Sequence, residues 1–141
     1  MKNGVERTFH PNGQMESEVT YVNGLPNGVS KGWHSNGVLA SEYPVKDGIY
    51  DGVSKQWNEK GELLGSFEIR NGTGIIRMWY PNGQLMGETS MLHGKWTGRQ
   101  RGWFENGDLI GDQYYIENQK VSKKKYLAAC KENLNFPRYE D

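Results

Sequence analysis

Three histidines, one cysteine and seventeen carboxylates are the residues of this chain with chemistry to offer. They could support metal ligation, nucleophilic attack or acid–base catalysis. His10 and His34 stand 24 residues apart at the same point of a recurring phrase. On a flat sheet that puts them two strand spacings apart, roughly 9–10 Å, too far to share one metal ion. His93 falls in a turn. Cys130 falls in a helix with no base assigned beside it, so nothing activates its thiol. The carboxylates recur opposite basic residues, and such pairing lowers a carboxylate pKa and argues against a general acid. The Asn-Gly stretches lack the glycine, lysine and Ser/Thr pattern of a phosphate loop. The expectation is a protein without catalytic residues, metal or cofactor.

The aromatic residues are more regular. Phe9-His10-Pro11-Asn12-Gly13 returns as Trp33-His34-Ser35-Asn36-Gly37, Trp57-Asn58-Glu59-Lys60-Gly61, Trp79-Tyr80-Pro81-Asn82-Gly83 and Trp103-Phe104-Glu105-Asn106-Gly107. The glycines that end these phrases are 24, 24, 22 and 24 residues apart. A period in that range signals stacked supersecondary units rather than one globular core. Each repeat is taken to begin at a glycine: Gly4, Gly28, Gly52, Gly74 and Gly98. Asn-Gly then fills places nine and ten, which predicts a two-residue type I′ hairpin turn. In that register, residues whose places sum to nineteen face each other.

Charge gives an independent check. Place four is basic throughout: Arg7, Lys31, Lys55, Arg77 and Arg101. Place fifteen is Glu18, Glu42, Ser66, Glu88 and Asp112, so opposite charges meet in four hairpins of five. A second turn closes each unit at Asn23-Gly24, Asp47-Gly48, Asn71-Gly72 and His93-Gly94. The third repeat is two residues shorter, a deletion that preserves the alternation of side chains between faces.

The predicted fold is therefore all-β: an elongated, twisted antiparallel meander of five hairpins over residues 1–120, about ten strands in all. The pattern stops at Asn118-Gln119. Residues 121–141 form a second segment, expected to pack as a cap. There Ser122 caps a helix over residues 123–134, with Leu127, Cys130 and Leu134 on one apolar face. The tail from Asn135 is expected to be extended.

Composition bounds the partners. Basic and acidic residues number seventeen each, so no global field draws the chain to nucleic acid or an anionic membrane. Hydrophobic residues make up 35% and mean hydropathy is −0.84, so burial has to come from a few large rings. A single cysteine suits a reducing compartment. With no apolar signal segment and no run near the roughly 20 apolar residues of a membrane span, the expected location is cytoplasmic.

Trp33, Trp57, Trp79 and Trp103, at place six, are the candidate binding residues. Place thirteen (Glu16, Ala40, Leu64, Met86, Ile110) is expected opposite them, making one row of rings and aliphatic groups. Two readings stand side by side. The rings pack on their own hairpins, or they line a groove open to a protein, peptide or glycan.

Units such as residues 74–85, with Trp79, Asn82, Gly83 and Leu85, resemble the bacterial variant of the MORN repeat over roughly residues 4–120. The resemblance implies a sheet of consecutive hairpins and offers no catalytic motif. Proteins of this variant are often labelled antitoxins, which would imply binding and silencing a cognate toxin. Eukaryotic relatives are associated with membrane lipids and scaffolding, against which the zero net charge weighs. The expected function is a non-catalytic protein-binding module of antitoxin or immunity type, with a protein partner such as a cognate toxin. The alternatives are a peptide- or glycan-binding groove and a membrane-associated scaffold. The open first strand makes the chain a monomer or an edge-to-edge homodimer.

Overall fold

The computed structural model describes residues 1–139. The chain forms two compact units, Met1–Asn71 and Gly72–Asp141. The first holds β1 (Gly4–Phe9), β2 (Met15–Val22), β3 (Leu25–Pro26), β4 (Gly28–Trp33), β5 (Leu39–Lys46), β6 (Ile49–Tyr50), β7 (Gly52–Trp57) and β8 (Leu63–Arg70). The second holds β9 (Thr73–Trp79), β10 (Leu85–Leu92), β11 (Lys95–Trp103), β12 (Leu109–Ile116), β13 (Gln119–Val121) and the helix α1 (Lys123–Glu132). Within each unit the strands pair antiparallel in meander order, as the repeat predicts.

The turn at Asn-Gly is not the predicted one. His10 N donates to Gln14 O at 2.8 Å and Gly13 N to His10 O at 2.9 Å, closing a three-residue loop of Pro11, Asn12 and Gly13. Only the glycine is left-handed, with φ 88°. This is the three-residue hairpin loop whose glycine forms a bulge, and it recurs in all five repeats. Asparagine serves there through its side chain: Asn12 Oδ1 accepts from Gln14 N at 3.0 Å. In the third repeat, where Lys60 stands in its place, Asn58 Oδ1 takes over and accepts from Lys60 N and Glu62 N, both at 2.9 Å.

The extra loop residue shifts the register beside the turn. Place six therefore faces place twelve: Trp33↔Leu39, Trp57↔Leu63, Trp79↔Leu85 and Trp103↔Leu109. The expected pairing of the tryptophans with place thirteen is corrected, because place thirteen is the additional residue of a bulge. Farther from the turn the predicted register holds, as in Arg7↔Glu18 and Gly4↔Tyr21.

The turns that close each repeat are type I′. Asn23 and Gly24 have φ of 52° and 83°, and the other three pairs repeat these signs. A fifth such turn, at Glu117 (φ 46°) and Asn118 (φ 73°), leads into β13, so the pattern runs one strand beyond its predicted end.

The first unit buries Val45, Phe67 and Ile69 with Ser54 and Gln56. The second buries Tyr114, Tyr126 and Cys130, with Ile116, Val121, Phe136 and Tyr139 packed around them. Ser122 caps α1 as expected, its Oγ accepting from Lys125 N at 3.1 Å. The buried face differs from the predicted one. Tyr126 and Cys130, one turn apart, are inside, whereas Leu127 is half exposed and Leu134 is 82% exposed beyond the helix end. The Tyr114 ring supplies the reason, because it offers Tyr126 an aromatic contact at 5.4 Å between centroids.

The tail up to Tyr139 folds back rather than extending free. Its Tyr139 hydroxyl accepts from Arg99 N at 2.8 Å, and the Arg99 guanidinium lies 4.1 Å over its ring. A Cβ on Gly98 would stand 2.5 Å from that hydroxyl, so glycine permits the approach. Glu140 and Asp141, also expected in the extended tail, lie outside the described residues.

Candidate functional site

Place seven holds His10, His34, Asn58, Tyr80 and Phe104. Three of these side chains reach the carbonyl of the next repeat's tryptophan: His10 Nε2 to Trp33 O at 2.7 Å, His34 Nε2 to Trp57 O at 2.8 Å and Tyr80 Oη to Trp103 O at 2.8 Å. A carbonyl only accepts, so Nε2 of each histidine carries a proton. Asparagines at place nine add a parallel bond, Asn12 to Ser35 O at 2.7 Å, Asn36 to Glu59 O at 2.9 Å and Asn82 to Glu105 O at 3.2 Å. The two histidines thus act as clamps between repeats. No group of three or more metal-ligating side chains occurs among the described residues.

The charged row extends further than the hairpin pairs alone. Glu18 faces Lys31 as well as Arg7, and Glu42 faces Lys55 as well as Lys31. The second unit continues likewise through Arg77, Glu88, Arg101 and Asp112. Arg7–Glu18, Arg77–Glu88 and Arg101–Asp112 close to 3.0, 2.9 and 3.0 Å. Glu18, Lys31, Glu42, Glu88 and Arg101 each have an opposite charge on both neighbouring strands, whereas Lys55 faces Ser66 on β8; the row fixes register more than it adds stability.

Trp33, Trp57, Trp79 and Trp103 are all half-buried, each against the leucine across its hairpin. The more open tryptophan is Trp96, outside the predicted row, 39% exposed and edge-on to Tyr115 at 5.3 Å.

A groove opens elsewhere in the second unit. Gly87 faces Gly102, and Gly102 faces Gly111, so three adjacent strands present glycine at one level. Above this floor lies a space of about 400 Å³ walled by Ile76, Met78, Met86 and Ile110, with Thr89, Gln100 and Gln113 also lining it. Met78 and Ile110 are 48% and 59% exposed. Met86 and Ile110 are place-thirteen residues, expected beside the tryptophans; the bulge brings them to the groove instead.

The corresponding level of the first unit is filled. Tyr43 and Phe67 stand where the second unit has Thr89 and Gln113, and Gln56 stands where it has Gly102. Tyr43 accepts from Gln56 Nε2 at 2.6 Å and its ring lies 6.4 Å from Phe67. Sequence reasoning missed the groove because it followed the tryptophans. The signal was present at place sixteen, where the rings of Tyr43 and Phe67 give way to Thr89 and Gln113.

On the other face of the second unit, burial raises the pKa of Tyr126 above its ordinary 10.0, with Cys130 alongside adding to the shift. Its hydroxyl donates to Pro137 O at 2.5 Å. Burial likewise raises Tyr50, with Tyr43 as the lesser cause. These groups stay neutral and structural.

No curated protein and no solved structure matches the chain. Repeats three and five share the turn geometry of the others. Residues 2–23, 26–47 and 73–93, which span the first, second and fourth hairpins, match the MORN repeat variant, a repeat commonly used as a protein- or membrane-binding module.

Proposed function

We propose that this chain is a non-catalytic protein-binding repeat module, of antitoxin or immunity type, that occludes a protein partner in the cytoplasm. The observation that supports it is the groove over Gly87, Gly102 and Gly111. Its walls are largely apolar and partly methionine, a side chain that adapts to irregular partners, with Thr89, Gln100 and Gln113 adding polar groups. An apolar segment of a partner would bury Met78 and Ile110 there.

Gly102 gives a direct test. Its backbone is not left-handed, and an added Cβ would meet only Ile110 and Met86 O at 3.8 Å. Gly102→Leu fills the groove from its floor without backbone strain. Co-expression with the products of adjacent genes should yield a partner that the parent chain retains and the folded variant loses. A partner held equally by both would sink the groove reading, and the absence of any partner under native conditions would sink the binding reading itself.

A second reading, a glycan or peptide reader, is favoured by the exposed Trp96 beside Tyr115. A saturable fluorescence change on titrating oligosaccharides, abolished by Trp96→Ala, would select it.

A further inference from the structure

Among the described residues β1 pairs only with β2, and all six of its residues are exposed. The interior joints of the same unit show what such an edge receives. Between β2 and β4, Glu18 faces Lys31, His10 donates to Trp33 O and Asn12 donates to Ser35 O. Between β5 and β7, Glu42 faces Lys55, His34 donates to Trp57 O and Asn36 donates to Glu59 O. The receiving strand offers the same three groups each time: a cation at place four and the carbonyls of places six and eight.

β1 carries that set as Arg7, Phe9 O and Pro11 O. No described side chain donates to either carbonyl. The carbonyls of Trp33 and Trp57 point to the preceding strand, and alternate residues of a strand direct their N–H and C=O the same way. Val5, Arg7 and Phe9 therefore present theirs on the open edge, a template for another strand.

We infer that the β1 edge receives an antiparallel strand from a different protein, with a carboxylate opposite Arg7 and an Asn or His amide or imidazole reaching Phe9 O and Pro11 O. The inference rests on the protein-binding reading and adds a second surface to it. Charge complementarity selects the occupant. A second copy of β1 would have to oppose outward-facing residues, and the two central registers set Arg7 against Arg7 or Glu6 against Glu6. Like charges directly opposite each other disfavour both.

The probe is a labelled synthetic peptide with the sequence of residues 10–22, which fills the equivalent joint before β4. Fluorescence anisotropy against the full chain should show saturable binding. A peptide with lysine replacing the glutamate equivalent to Glu18 should bind about tenfold more weakly, the change expected on turning an opposite-charge pair into a like-charge one. Val5→Pro removes an outward N–H without touching the bonds to β2. It should abolish peptide binding at an unchanged unfolding midpoint.

Failure of the first peptide to bind, or equal binding of both peptides, would overturn the inference. So would binding of the first peptide undiminished by a folded Val5→Pro variant. A concentration-dependent dimer in sedimentation, lost in Val5→Pro, would assign the edge to a second copy and overturn it too. If Val5→Pro does not fold, the peptide pair still decides. Gly102→Leu should leave peptide binding intact. A protein partner lost with Gly102→Leu but kept with Val5→Pro would therefore sink the edge and leave the groove standing.

Discussion

Tyr80→Phe isolates one clamp between repeats. The substitution removes a single oxygen, which donates to Trp103 O at 2.8 Å, and leaves a ring of the same shape in place. Phe104 occupies the equivalent place of the fifth repeat, so the ring alone is compatible with the turn. A net hydrogen bond is worth about 0.5–1.5 kcal/mol, and a carbonyl left without its donor costs more as it becomes less hydrated. Tyr80 and Trp103 are both half-buried, so the total should be about 1–2 kcal/mol. In urea, with a slope of about 1–3 kcal/mol/M, the midpoint should fall by about 0.3–2 M at unchanged slope. Tryptophan fluorescence follows the transition directly. A fall smaller than about 0.2 M would refute the clamp, and a changed slope would show that the variant altered the states compared.

Other consequences follow from the same geometry. Tyr126→Ala removes a fully buried ring packed on Tyr114 and Phe136, and should cost about 3–5 kcal/mol in calorimetry or urea unfolding; a cost under about 1 kcal/mol would show that the helix does not anchor the second unit. The raised pKa of Tyr126 sets a sign for pH: an unfolded tyrosine ionises from about pH 10 while the buried one keeps its proton. Its stabilising contribution is thus complete below pH 10 and declines above it, so the melting temperature should fall with alkali, less steeply in Tyr126→Phe. A double-mutant cycle on Arg77 and Glu88, a pair partly open to solvent, should give no more than about 1 kcal/mol and shrink with salt. His10 and His34 commit Nε2 to carbonyls, so zinc or a chelator should leave the unfolding midpoint unchanged; a metal-dependent shift would contradict the clamp reading.

The hairpins were legible where each residue's own preference was sufficient. Asn23-Gly24 and its counterparts adopt positive φ because those residues tolerate it, and the strands follow from the alternation between turns. The charge row was legible because opposite signs recur at fixed places. The Asn12-Gly13 turn was misread, since the same two residues satisfy either a two-residue or a three-residue loop. What separates the loops is hydrogen bonding: His10 N to Gln14 O, and the Asn12 side chain to both Gln14 N and Ser35 O. That single residue of difference moved Met86 and Ile110 from the tryptophan row to the groove.

The sequence alone determined a meander of hairpins with a charged row and a capped helix after it, because period, φ tolerance and charge sign belong to residues one at a time. The tertiary structure alone decided that Tyr126 rather than Leu127 goes inside, that Tyr139 returns to Gly98, and that glycines on three strands make one floor. Each of these depends on what stands opposite, which is a property of neighbouring strands and of no residue by itself.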